Sequence, residues 1–393
     1  MRNILSKRSI KINGQPMFEI LSIAKELEAK GKKIIHLEIG DSSPYGNDRI
    51  KELIAKNLKV ENSLGYSPSE GEPLLRTAFA NHYSILCKEK IDSQNVVVTP
   101  ANAAISQLVN VLSDEGEAIL FPDPGFPTYT LAATYHSIKP IFYGLEEANG
   151  FQINPDEIYS IIESHKEIRA IFLNNPSNPL GIFQQVSRLN EIISFCNKRG
   201  ISVIIDDTYR NLIYEDNYPR VNHLPNIFYI YSLSKDIASP GMRIGAVIGD
   251  KQVIKKISDL NSLLYSCLPK FIQLAAAEYL NEDHRAYRAK LRGDLQKRIT
   301  KVCEILNGSI GLTYVKPNSG IYFFLNVTAT SFDGSAFALI LLNEAGVSVC
   351  PGISFGRHGK NYIRICISGN EDELYEACTR IATLFNKHRF NTF

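Results

Sequence analysis

The sequence predicts an α/β protein: a large domain with a mostly parallel seven-stranded sheet, plus a smaller α+β domain built from the N-terminal segment and the C-terminal third. Three observations lead there. The 393 residues exceed what one small core needs. Short β-branched runs without polar alternation recur through the middle of the chain, as strands covered on both faces require. Segments with helical apolar spacing separate most of those runs, which makes βαβ units and a parallel sheet.

In chain order, the first 45 residues hold one helix, about Met17–Lys30, and one short strand, Ile34–Glu38. Both are expected to pack with the C-terminal unit. The sheet strands are Val96–Thr99, Glu117–Phe121, Lys139–Tyr143, Ile168–Leu173, Ser202–Asp206, Ile227–Ser232 and Ile244–Ile248. Ala103–Leu112 carries Ile105, Leu108, Val109 and Leu112 on one helical face. Val186–Arg199 carries Leu189, Ile192, Ile193 and Cys196, with Gly200 as its stop. From about Gln252 to Glu304 the chain reads as helix, broken near Pro269. Strands at Thr313–Lys316, Ile321–Asn326, Val347–Cys350 and Tyr362–Ile367 come next, with helices near Ser335–Ala345 and Asp372–Lys387. The division this suggests is 46–283 for the large domain, and 1–45 with 284–393 for the small one. Arg285, Arg288, Arg292 and Arg298 recur on one helical stretch and read as a solvated face.

Composition narrows the function. Lys plus Arg total 43 against 41 Asp plus Glu, so bulk charge favours neither nucleic acid nor an anionic membrane as partner. Seven scattered cysteines form no CxxC pair and no metal-ligand spacing, which implies no metal, no disulfide framework and a reducing cytoplasm. Charges recur too often in the first eleven residues for a signal-peptide core, and no apolar run approaches the roughly 20 residues a membrane helix needs.

Ligands of parallel α/β sheets sit at the carboxyl ends of the strands. After Val96–Thr99 come the small residues of Pro100-Ala101-Asn102-Ala103-Ala104, where a helix N-terminus can meet an anion. After Ile168–Leu173 comes Asn174-Asn175-Pro176-Ser177-Asn178-Pro179, a turn displaying amides. Ser202–Asp206 ends in Asp206-Asp207-Thr208-Tyr209. Ile227–Tyr231 leads into Ser232-Leu233-Ser234-Lys235, then Gly241-Met242-Arg243-Ile244-Gly245. Taken singly, each has an ordinary explanation: a loop, a cap, a tight turn. Together they offer a lysine for a Schiff base, a carboxylate for a protonated pyridine nitrogen, and hydroxyls, an arginine and a helix end for a phosphate. One ligand needs all three, pyridoxal 5′-phosphate. Asp207, the next residue along an extended chain, points the other way and is expected to tolerate substitution.

With these motifs in this order, the chain resembles the class I/II aminotransferases, pyridoxal-phosphate enzymes of fold type I. The resemblance spans nearly the whole length. It also runs through Leu37-Glu38-Ile39-Gly40, Tyr66-Ser67-Pro68-Ser69-Glu70-Gly71, Pro124-Gly125-Phe126-Pro127, Pro351-Gly352 and Tyr362-Ile363-Arg364. It implies Lys235 as the lysine of the internal aldimine and the carrier of the substrate α-proton. Asp206 would partner the pyridinium, Tyr209 and Asn178 the ring 3′-oxygen, and Phe126 a ring face. Ser232, Ser234 and Arg243 would bind the phosphate, with backbone at Asn102 and Ala103. Tyr66 would reach the phosphate of a second subunit, implying a homodimer with shared sites. Arg364 would take the substrate α-carboxylate as a planar fork, with Gly40 and Asn178 also at the substrate.

Two departures stand out. Ala101 occupies a loop position where glycine is usual, and Asp41-Ser42-Ser43 replaces the usual Glu-Pro-Asp after Gly40. The leading expectation is amino transfer between an L-amino acid and a 2-oxo acid. The same scaffold also hosts β-elimination (C–S lyase) and cyclase chemistry. A cofactor-binding regulator ranks last, because the first 45 residues leave no room for a DNA-binding module and no basic recognition helix is visible.

Overall fold

The computed structural model describes residues 4–6, 9–12, 14–15, 17–215 and 225–389. Met1–Asn3, Lys7 and Arg8, part of the N-terminus read for a leader, lie outside them. After the helix Met17–Ala29, strand β1 (Ile35–His36) opens the β-structure. The large sheet comprises β2 (Val96–Val98), β3 (Ala118–Asp123), β4 (Lys139–Gly144), β5 (Ile168–Asn174), β6 (Ser202–Asp206), β7 (Ile227–Ser232) and β8 (Gly245–Ile248). Their spatial order is β2-β8-β7-β6-β5-β3-β4. All pairings are parallel except those of β8, which runs antiparallel to both β7 and β2. The link from β7 to β8 holds only a four-residue helix and a short 3₁₀ turn. That is too little for a crossover, so the chain turns back at the same edge.

The unalternating strands are explained by burial on both faces. Val96, Val98, Leu120, Ile171, Leu173, Val203, Ile205, Tyr229 and Tyr231 pack into one apolar cluster. Their neighbours Val97, Ile119, Phe121, Phe172, Ile204, Phe228 and Ile230 pack into another on the opposite face. The helix Val186–Asn197 covers the first face with Val186, Leu189, Ile192, Ile193 and Cys196 buried. Burying each such aliphatic side chain contributes about 2 kcal/mol.

The smaller unit has its own core. β9 (Tyr322–Asn326), β10 (Val347–Ser348), β11 (Cys350–Pro351) and β12 (Tyr362–Cys366) form two small sheets. β11-β12-β9 is antiparallel, while β10 pairs in parallel with β1 through Ile35↔Val347 and His36↔Ser348. The helices Arg285–Leu306 and Glu371–His388 cover this unit with Leu291, Leu295, Ile299, Ile381 and Phe385. The N-terminal segment thus packs with the C-terminal unit as expected. Among the described residues, no helix is long and apolar enough to cross a membrane.

Three expectations change. Thr313–Lys316 forms no strand and keeps a single bridge, Thr313↔Asn326. The arginine-bearing helix is not a uniformly solvated face. Arg285 is exposed, but Arg288 forks onto the buried Asp236, and Arg298 is buried with its guanidinium over Tyr45. Asp207 does turn away from Asp206, yet it is buried, accepting from Tyr83 Oη at 3.1 Å and Arg210 Nη1 at 3.3 Å.

Breaking a buried ion pair strands the remaining charge. Asp207→Ala is therefore expected to cost about 3 kcal/mol of stability. Urea unfolding checks this; a midpoint unchanged from wild type would mean that Arg210 finds full compensation elsewhere.

Candidate active site

The parallel ladder places the functional groups. Asn174 at the end of β5 pairs with Asp206 at the end of β6, and Asp206 pairs with Ile230 of β7. Past β6 the chain turns so that Thr208 donates twice to Asp206 Oδ1, from its backbone N at 3.1 Å and from Oγ1 at 2.6 Å. Tyr129, on the helix Pro127–Tyr135, donates from Oη to Asp206 Oδ2 at 2.7 Å. Burial pushes this carboxyl above its ordinary range, against the pull of those donors. Among the described residues, no cationic side chain pairs with it.

Lys235 lies just past the end of β7. Ser232 Oγ accepts from Ser234 N at 3.2 Å and caps the helix Leu233–Asp236. The Lys235 ammonium donates to the Gly40 carbonyl. Burial holds its pKa below that of an ordinary lysine. The neighbouring Asp236 is not available to it: Arg288 Nε and Nη2 fork onto that carboxylate at 2.9 and 2.8 Å, and Tyr231 Oη also donates to it.

Arg364 enters from β12 and is only 1% exposed. Nη1 donates to Asn178 Oδ1 at 3.0 Å, and Nη2 to the Glu38 carbonyl. Asn178 is itself held by its backbone N donating to Asn174 Oδ1 at 2.7 Å. The guanidinium lies 4.3 Å over the Tyr322 ring and 4.7 Å from the Phe355 ring, while Nε has no partner among the described residues.

One cavity of about 370 Å³ joins these groups. Gly40, Asn102, Phe126, Asn178, Asp206, Tyr209, Ser232, Ser234, Lys235, Arg243 and Arg364 all line it. Two residues named from the sequence do not. Ala103 lies in the first turn of the helix Ala101–Leu112, next to the lining residues Ala101 and Asn102. Tyr66 is 90% exposed on the surface. Three polar residues at the site were given no role from the sequence. Tyr129 stands one helical turn after Phe126, and Thr208 two residues after Asp206, spacings that could have marked both. Tyr322 emerges from an apolar strand with no local signal.

Chemically, the cavity offers an amine whose burial favours the neutral form, a carboxylate with no cation paired to it among the described residues, a planar arginine fork, and a helix N-terminus flanked by two serines and an arginine.

Comparison with known proteins agrees with this arrangement. A family model described as aminotransferase class I and II matches residues 32–381. An aspartate aminotransferase of Pyrococcus horikoshii is 30% identical over 383 residues, covering 96% of each chain. A probable aspartate/prephenate aminotransferase of Aquifex aeolicus is also 30% identical, covering 97% of this chain and 98% of that one. The solved structure of an alanine aminotransferase from Pyrococcus furiosus superposes with a TM-score of 0.90 at 26% identity, covering 98% of this chain and all of that one. With its seven-stranded sheet and the groups gathered at its carboxyl edge, the chain belongs to the class I and II aminotransferases and is a transferase enzyme.

Proposed function

We propose that the protein is a pyridoxal-phosphate-dependent aminotransferase that moves an amino group between an L-amino acid and a 2-oxo acid. One observation carries the reading: a lysine and a carboxylate that, among the described residues, have no acid and no cation paired with them share one cavity. Burying unpaired groups of opposite kind is costly unless a ligand lies between them.

The donor set fits this cofactor. Asp206 suits a protonated ring nitrogen, and Tyr209 and Asn178 suit the ring 3′-oxygen. Phe126 suits a ring face. Ser232, Ser234, Arg243 and the backbone at Asn102 and Ala103 suit the phosphate. When bound, the cofactor supplies an aldehyde for the lysine and a protonated ring that withdraws electrons from the substrate α-carbon.

The chain's own residues do the rest. Arg364, tethered by Asn178, offers its fork to the α-carboxylate and so orients the α-C–H bond. Lys235, its charge disfavoured by burial, takes the proton from the α-carbon and returns it.

A homodimer goes with this reading. Tyr66 and Leu64 are exposed, as are Leu263 and Leu264 nearby, where Ser67 N donates to Cys267 Sγ at 3.3 Å. An exposed apolar patch of this kind is what a second subunit covers. Seven free thiols accord with a cytoplasmic setting.

Protein loaded with pyridoxal 5′-phosphate should show a visible band that borohydride fixes on Lys235, as read by peptide mass spectrometry. One good amino acid, added alone, should bleach that band once per site, and a 2-oxo acid should restore it. Continuous ammonia or sulfide release without bleaching would replace transfer by lyase chemistry. Arg364→Lys keeps the charge but loses the fork, so KM should rise and kcat should fall, each by roughly tenfold or more in steady-state assays. Mixing inactive Tyr66→Phe and Lys235→Ala chains should regenerate activity in heterodimers; sedimentation showing an active monomer would contradict the shared site.

A further inference from the structure

The Tyr209 and Tyr322 hydroxyls lie 2.9 Å apart, both buried, and each is the other's only hydrogen-bond partner among the described residues. Each phenol has a single proton to give. In such a pair one hydroxyl donates and the other keeps its proton for a third group. The surroundings decide which. The Arg364 guanidinium sits over the Tyr322 ring at 4.3 Å, and a cation there makes that phenol the stronger donor. Burial raises both phenols; at Tyr322 the nearby Arg364 is the main opposing influence, while at Tyr209 the neighbouring phenol adds to the rise. Tyr322 is also held in place. Its hydroxyl lies against Gly40, where a Cβ would fall 1.8 Å from the oxygen, so this packing requires glycine at 40. The carbonyl of the same glycine holds Lys235.

We infer that Tyr322 is a positioning residue: its hydroxyl donates to Tyr209 Oη and leaves the Tyr209 proton free for the cavity. On the cofactor reading above, on which this rests, that proton goes to the ring 3′-oxygen. A donor that is itself a hydrogen-bond acceptor is polarised and donates more strongly. With the cofactor bound, Tyr322 would thereby strengthen a contact that lowers the basicity of the Lys235 nitrogen holding it. It also links the arginine that meets the substrate to the tyrosine that meets the cofactor, across the two domains.

The test is a pH titration of the visible band of cofactor held on Lys235, in wild type, Tyr322→Phe, Tyr209→Phe and the double variant. Tyr322→Phe should raise the midpoint by about half a pH unit. Tyr209→Phe should raise it further. The double variant should match Tyr209→Phe alone, since Tyr322 acts through Tyr209. Because the ring is retained, KM for the amino acid in Tyr322→Phe should stay within about twofold of wild type. An unmoved midpoint, or shifts that add in the double variant, would overturn the inference while leaving the cofactor reading intact. So would a large rise in KM with an unmoved midpoint. A wild-type protein that forms no visible species with pyridoxal 5′-phosphate would overturn both.

Discussion

The register of the parallel ladder across β5, β6 and β7 governs everything at the site. It sets Asn174, Asp206 and Ile230 level with one another at one edge of the sheet. Asn174 in turn holds Asn178, which holds Arg364 from the other domain. A slip of one residue would send Asp206 to the opposite face and bring Asp207 in its place. The structure protects against that slip by giving both carboxylates dedicated partners on opposite faces. Thr208 and Tyr129 hold the first; Tyr83 and Arg210 hold the second.

A second constraint is the separation of charge around Lys235. A carboxylate stands next to it in sequence, and an ordinary lysine would pair with it. Here the Asp236 carboxylate is taken by a bidentate arginine fork and a tyrosine hydroxyl, which outweigh its burial and keep its pKa low. Among the described residues Lys235 is left with a backbone carbonyl as its hydrogen-bond partner, and burial disfavours its charge. Arg288, which supplies the fork, belongs to a helix whose apolar face packs in the core of the smaller unit. The electrostatic isolation of the lysine thus depends on the two units being assembled.

Much of this was legible in the sequence because strand ends and local turns are written locally. The seven sheet strands could be read from apolar runs, and Asp206, Asn178 and Lys235 from their places at or just past the ends of those runs. The features that escaped depend on packing between distant segments. Tyr129 and Tyr322 look like core aromatics until the fold brings their hydroxyls to Asp206 and Tyr209. Arg288 and Arg298 looked solvated because helical spacing reveals a face but not its covering. Thr313–Lys316 had strand composition, but the fold pairs it through a single bridge, a pairing its composition does not reveal.

The pairing of β1 with β10 has a consequence for how the protein is made. His36 and Ser348 are partners, yet they leave the ribosome roughly 300 residues apart, a delay of about 15 to 60 seconds at ordinary rates of elongation. The large sheet can close during that interval, since all of its strands lie between these two points. Gly40, the acceptor for Lys235, lies just beyond β1 on the segment that must wait. The nascent chain therefore holds its lysine without that acceptor fixed in place until β10 has been synthesised, so the site is completed well after the large sheet that carries most of it.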